Sequence, residues 1–162
     1  MERNSPDHER YMKLAIASAR RNPECPFGAV LVDFRRAEVV AEGYNRTTNN
    51  PTWHGEMDAI NRYSEQLKSE QWQHLHLYTT AEPCCMCQGA ILWAEIPLVV
   101  YGTSIERLQQ MGWRQIDIYA NEVARRTPFA NCQIIGGVLA EECGRLFASA
   151  AKLRESDSTK RA

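Results

Sequence analysis

Two short motifs constrain this chain more than anything else in it: His54-Gly55-Glu56, and then Pro83-Cys84-Cys85-Met86-Cys87. Written as patterns they are H-x-E and P-C-x-x-C. One imidazole and two thiolates make a ligand set whose softness suits Zn²⁺. Three protein ligands leave a fourth tetrahedral position for water, as a catalytic zinc requires. A carboxylate two residues from the histidine is placed to move that water's protons. A closed zinc knuckle would need a fourth ligand at short spacing, and none stands nearby. The expectation is one zinc held by His54, Cys84 and Cys87, with Glu56 as the proton shuttle. It carries a geometric demand. On an ideal helix His54 and Glu56 point roughly 200° apart, so they share a site only if the helix begins at His54 with an irregular first turn.

The chain has 162 residues, one domain's worth, with 44% hydrophobic and 24% charged residues and a formal net charge of -1. Those proportions are ordinary for a globular protein that buries a real core. No global basic field advertises nucleic acid. No run of about 18 apolar residues is present to span a membrane, and Met1 to Arg10 lacks the apolar segment of a signal peptide. Two of the six cysteines sit in the C-x-x-C, so a reducing cytoplasm and free thiols at Cys25, Cys85, Cys132 and Cys143 are expected.

Ser5-Pro6 reads as a helix cap and first helical residue. Tyr11, Met12, Ala15, Ile16 and Ala19 then recur at helical spacing. Residues 28–32 and 38–44 read as an antiparallel hairpin with its turn at Arg35-Arg36, and 45–51 as a polar loop. A second helix runs from about Trp53-His54 through Tyr63. Leu75 to Thr80 reads as a strand, Pro83 as the opening of a third helix, and Leu98 to Gly102 as a parallel strand after it. A short helix at 104–111, an excursion with a helical turn at 112–131, a last strand at 132–135 and a helix at 139–153 complete the pattern. The domain is expected to span 1–153, with 154–162 frayed. Helices alternating with about five strands imply a three-layer α/β/α sandwich. His74 and His76 read as structural and His8 as a solvated residue of the first turn. Glu82 reads equally as support for a ligand or as a loop acid. Trp53, Trp93 and Trp113 read first as core; Trp93 is also a candidate substrate contact.

The H-x-E…P-C-x-x-C pair is the signature of zinc nucleobase deaminases. Together with P-F-G-A-V at Pro26–Val30, E-G-Y-N at Glu42–Asn45, N-P-T-W-H-G-E-M-D-A-I at Asn50–Ile60 and Y-T-T-A-E-P-C-C-M-C-Q-G-A-I-L-W-A at Tyr78–Ala94, it resembles the cytidine-deaminase-like superfamily, and within it the bacterial guanine deaminases. The likeness reaches to about Gly112. It implies a five-stranded mixed sheet, a homodimer, zinc on His54, Cys84 and Cys87, proton transfer by Glu56, a hydrogen bond from Asn45 to the base and stacking by Phe27. It also implies hydrolysis of guanine to xanthine and ammonia.

Three departures matter. Gly55 replaces the commoner alanine. The stretch Gly136–Cys143 looks more like tRNA adenosine deaminases. Guanine deaminases place an acid shortly after a Gly-aromatic pair, whereas Gly112-Trp113 is followed by Arg114-Gln115 and the first acid is Asp117. Asp117 is therefore the expected reader of the base's donor edge. Against a hydrolase of free guanine stand a tRNA adenosine editor using Arg145, Lys152, Arg154, Lys160 and Arg161, a cytosine or nucleoside deaminase, and a zinc-stabilised binding module, in which Glu56 would have no purpose.

Overall fold

Gly28–Asp33 forms strand β1 and is buried at every position. Such a strand needs neighbours on both edges and a layer on both faces. In the structure, a computed structural model describing residues 7–66, 72–129 and 131–160, β1 has them all. It pairs antiparallel with β2 (Glu38–Tyr44) and antiparallel with β3 (Leu75–Ala81). β3 runs parallel to β4 (Leu98–Thr103), and β4 parallel to the short β5 (Gln133–Ile135). The strand order is β2-β1-β3-β4-β5, the expected five-stranded mixed sheet.

Alternation along β1 sorts its side chains between two cores. Val30 and Val32 meet Tyr11, Met12 and Ile16 of α1 (His8–Ala19) and Cys143 of α6 (Ala140–Lys160). Ala29 and Leu31 face Ala59 and Tyr63 of α2 (Gly55–Gln66) and Ile91 of α3 (Cys85–Trp93). Two short helices, α4 (Ile105–Gln110) and α5 (Ala120–Arg125), follow β4. The result is the three-layer arrangement read from the pattern. The last helix continues to Lys160, past its expected end at Leu153.

Some local expectations need correction. Ser5 and Pro6 lie outside the described residues; α1 is capped by Asp7, whose side chain accepts from the Arg10 N–H at 3.0 Å. Pro83 does not open α3. Cys84 follows it with an extended ψ of 166° and takes the cap position, so the helix begins at Cys85. His8 is not simply solvated: its Nδ1 lies 3.1 Å from the Tyr78 hydroxyl. His76 is structural as expected, stacked on Phe34 and held down to about 4 chiefly by burial. Among the described residues, no helix is long and apolar enough to cross a membrane.

The start of α2 lies backbone to backbone against the hairpin. A Cβ on Gly55 would stand 2.6 Å from the Phe27 carbonyl oxygen, and one on Gly43 would strike the Gly55 oxygen and the Ala59 nitrogen. Gly43→Ala is expected to cost about 1–3 kcal/mol through overpacking, measured as a fall in the urea midpoint. An unchanged midpoint would show that the helix can retreat from the sheet without penalty.

Candidate active site

β1 is antiparallel to both of its neighbours, so it begins where β2 and β3 end. Gly28 stands opposite Tyr44, and Ala29 opposite Thr79. Phe27 before β1, Asn45 after β2, Glu82 to Cys84 after β3 and the chain after β4 therefore meet at one end of the sheet. Ligand sites of α/β sheets form beyond the carboxyl ends of parallel strands in this way.

His54 is the residue before α2. Its carbonyl accepts the Asp58 N–H at 2.9 Å, the first bond of the helix. His54 is thus outside the helical turn while Glu56 is inside it, and the geometric demand of the H-x-E spacing is met. His54 Nδ1 stands 3.6 Å from Cys84 Sγ and 3.6 Å from Cys87 Sγ. Zn–N and Zn–S bonds of ordinary length at a tetrahedral angle require an N···S separation of about 3.6 Å. The three donor atoms all lie within 4.8 Å of one another, and they are the one such His/Cys/Asp/Glu group among the described residues. These residues can hold a zinc ion.

The charges agree. The Cys84 thiol is drawn down to about 4, chiefly by its hydrogen bond with Cys87 and further by His54, against the penalty of burial. Cys87 is pushed up by the same bond and by burial. A divalent cation between them removes that asymmetry, because a coordinating thiol is deprotonated outright. Glu56 is 3% exposed. Burial raises its pKa, and its Oε1 accepts from the Thr79 hydroxyl at 3.1 Å.

A cleft of about 810 Å³ opens over this group. Asn45 and Phe27 line it, as expected. Asn45 Oδ1 accepts the backbone N–H of Thr47 at 3.2 Å and its hydroxyl at 2.9 Å. A backbone N–H can only donate, so the atom facing it is the amide oxygen, and the amide NH₂ is the group left for a ligand. The Phe27 ring packs edge-on to Trp113, centroids 5.3 Å apart, and against Phe147 at 4.8 Å.

Trp93 and Asp117 do not line the cleft. Trp93 ends α3, nine residues and about 13 Å along the axis from Cys84. It is 77% exposed and packs on Phe129 at 4.6 Å. Asp117 sits between Ile116 and Ile118, where the Ile118 N–H returns to the Ile116 oxygen at 2.8 Å. That tight turn directs the carboxylate outward to Gln109, at 3.3 Å. Trp113, Arg114 and Gln115 occupy the wall instead, with Arg154. The Arg154 guanidinium lies 4.4 Å above the Trp113 ring and donates to Cys25 Sγ at 3.1 Å. Gln115, two residues after Gly112-Trp113, had a signal in the sequence: it stands close to where the resemblance puts an acid. Arg154 was read only as part of a C-terminal basic cluster, and Thr79 had no signal, since only folding brings its hydroxyl to Glu56.

A model of the cytidine and deoxycytidylate deaminase zinc-binding region matches residues 5–103. Guanine deaminase of Bacillus subtilis (strain 168) is 36% identical over 119 residues, which cover 70% of this chain and 75% of that one. A tRNA-specific adenosine deaminase of Buchnera aphidicola subsp. Baizongia pistaciae is 34% identical over 160 residues, 95% of this chain and 94% of that one. Among solved structures, a guanine deaminase from Nitrosomonas europaea aligns over 89% of this chain and 84% of its own at 20% identity, with a TM-score of 0.75; this likeness is one of fold.

Metal analysis of the purified protein is expected to find one zinc per chain. Cys87→Ser should bring zinc well below one equivalent, because it replaces a thiolate by a poor ligand. Full zinc in that variant would remove Cys87 from the ligand set.

Proposed function

Because the chain belongs to the zinc-dependent cytidine and deoxycytidylate deaminase family, we propose that it hydrolyses the exocyclic amine of a nucleobase, with guanine the preferred base. The observation that carries the chemistry is the His54–Cys84–Cys87 trio with a buried carboxylate beside it. In this reading the three residues hold the zinc, which when bound supplies a Lewis acid that makes water acidic enough to attack near neutral pH. Glu56 is fixed by Thr79 at Oε1, leaving Oε2 to take a proton from the attacking water. The same carboxyl then passes that proton to a ring nitrogen, takes the second proton from the added hydroxyl and delivers it to the departing amine, which leaves as ammonia as the ring C=O forms. Burial raises the pKa of Glu56, which suits a group that must both accept and release a proton. The Asn45 amide donates to an acceptor on the base, and Phe27 with Trp113 forms the apolar wall.

Guanine is supported by the match to the Bacillus subtilis enzyme and by Asn45 and Phe27 in the cleft. Asp117 drops out as a reader of its donor edge. Gln115 takes that role, its amide oxygen accepting where the resemblance calls for an acid. A second reading, adenosine within tRNA, draws on a different observation: Arg114 and Arg154 both line the cleft, where a phosphate could approach. The 34% match over 95% of the chain supports it.

The proposal includes a homodimer. A surface groove beside α3 and α5 is lined by the apolar Leu92, Trp93, Ile118, Val123 and Phe129. Its charges there, Glu122 and Arg126, pair with each other at 2.9 Å, so two copies can meet without like-charge repulsion. A cytoplasmic location, to be checked by cell fractionation, is proposed because none of the six cysteines is in a disulfide.

Ammonia release from guanine, cytosine, adenine, their nucleosides and a tRNA anticodon stem-loop is the deciding measurement. Guanine should be turned over fastest. Glu56→Gln should keep its zinc and lose at least about 10²–10⁴-fold in rate. Gln115→Ala should raise KM for guanine, while Asp117→Asn should leave it unchanged. Turnover of another substrate with none of guanine would refute the base assignment. For assembly, light scattering should give twice the chain mass for the wild type and a monomer for Trp93→Glu; a monomeric wild type at micromolar concentration would rule the dimer out.

A further inference from the structure

Glu82 directly follows β3, two residues before Cys84, and is 5% exposed. Its backbone N–H donates to the Thr103 carbonyl at 2.7 Å, carrying the β3–β4 pairing one residue further. A buried carboxylate is costly unless its oxygens are bonded, and both are. Oε2 accepts the Ile105 N–H at 3.0 Å, and Oε1 accepts the Ala120 N–H at 3.0 Å. These are the first residues of α4 and α5. The opening N–H groups of a helix have no acceptor within it, and negative charge is favoured there. α4 has a cap of its own, Ser104, whose hydroxyl accepts from the Arg107 N–H. α5 does not: Tyr119 makes no side-chain cap bond. A residue 38 positions upstream fills the place.

The chain between the two helices contains 112–116, the outer wall of the cleft. Both ends of that wall are tied to one carboxylate, and the carboxylate is rooted in the strand end that leads into Cys84. We propose that Glu82 is a positioning residue for substrate recognition, setting the wall at Trp113, Arg114 and Gln115 at a fixed distance from His54, Cys84 and Cys87. The proposal rests on the deaminase reading for its kinetic readout only.

Glu82→Gln tests it. The amide keeps the shape of the side chain but turns an NH₂ toward one of two N–H donors, so one helix start is released. Hydrogen exchange of the backbone amides across 105–120 should speed up. Zinc content and kcat should hold, while KM rises on the order of tenfold as the wall shifts against the bound base. Ser104→Ala is the control. It removes the 3.2 Å bond to the Arg107 N–H and spares both Glu82 bonds, so it should lower stability and leave KM alone. Unchanged exchange in Glu82→Gln, loss of its zinc, or an equal rise in KM in Ser104→Ala would each overturn the proposal. Should the wild type turn over none of the substrates, the functional reading fails, and the exchange comparison, which needs no turnover, decides the role of Glu82. If Glu82→Gln does not fold, Glu82→Asp, too short to reach both amides, is read in the same way.

Discussion

The cleft depends on how closely the first turn of α2 lies against the sheet. At Gly43 and Gly55 the helix and the hairpin touch through backbone atoms, with no side chain between them. That contact fixes His54 and Glu56 relative to β1. β1, by pairing with β3, fixes them relative to Cys84 and Cys87. A ligand trio whose N···S separations match a zinc site follows from this chain of contacts.

Buried polar groups reinforce the placement. Asp58, 4% exposed, accepts the Tyr44 N–H at 3.2 Å, Arg46 Nη1 at 3.2 Å and Arg62 Nε at 3.0 Å. It thereby ties the end of β2, where Asn45 begins, to the helix that carries Glu56. Asn45 adds the bond from its own N–H to the Phe27 carbonyl at 2.9 Å. Satisfied networks of this kind specify one arrangement, because breaking any member strands a buried partner.

The zinc trio was legible in the sequence, as were Asn45 and Phe27 at the cleft, and the rest of the wall was not, for a physical reason. The two motifs are local: His54 to Glu56 and Cys84 to Cys87 each span a turn or less, so each half can be read from the chain, while the sheet joins the halves. The strands were legible too, since β-branched and apolar runs at 28–33 and 98–103 have little other use. Trp93 and Asp117 were misplaced because their positions depend on where α3 ends and how 112–119 turns, and neither is set by nearby residues. His8 was misread because Tyr78, seventy residues away, supplies its partner. α3 ends at Trp93, with Ala94 as its cap and a left-handed Glu95 (φ 57°) after it.

The wall around Trp113 carries one more consequence. The Trp113 indole N–H donates to the Phe147 carbonyl on α6 at 3.2 Å, and its ring stands against Phe27 and Phe147. One wall of the cleft is thus built from residues beyond 103, where the family match stops, while His54, Glu56, Cys84 and Cys87 lie within it, as do Phe27 and Asn45. The cleft is assembled from two stretches of one chain, and a change within 112–116 can reshape its wall without replacing any member of the zinc trio.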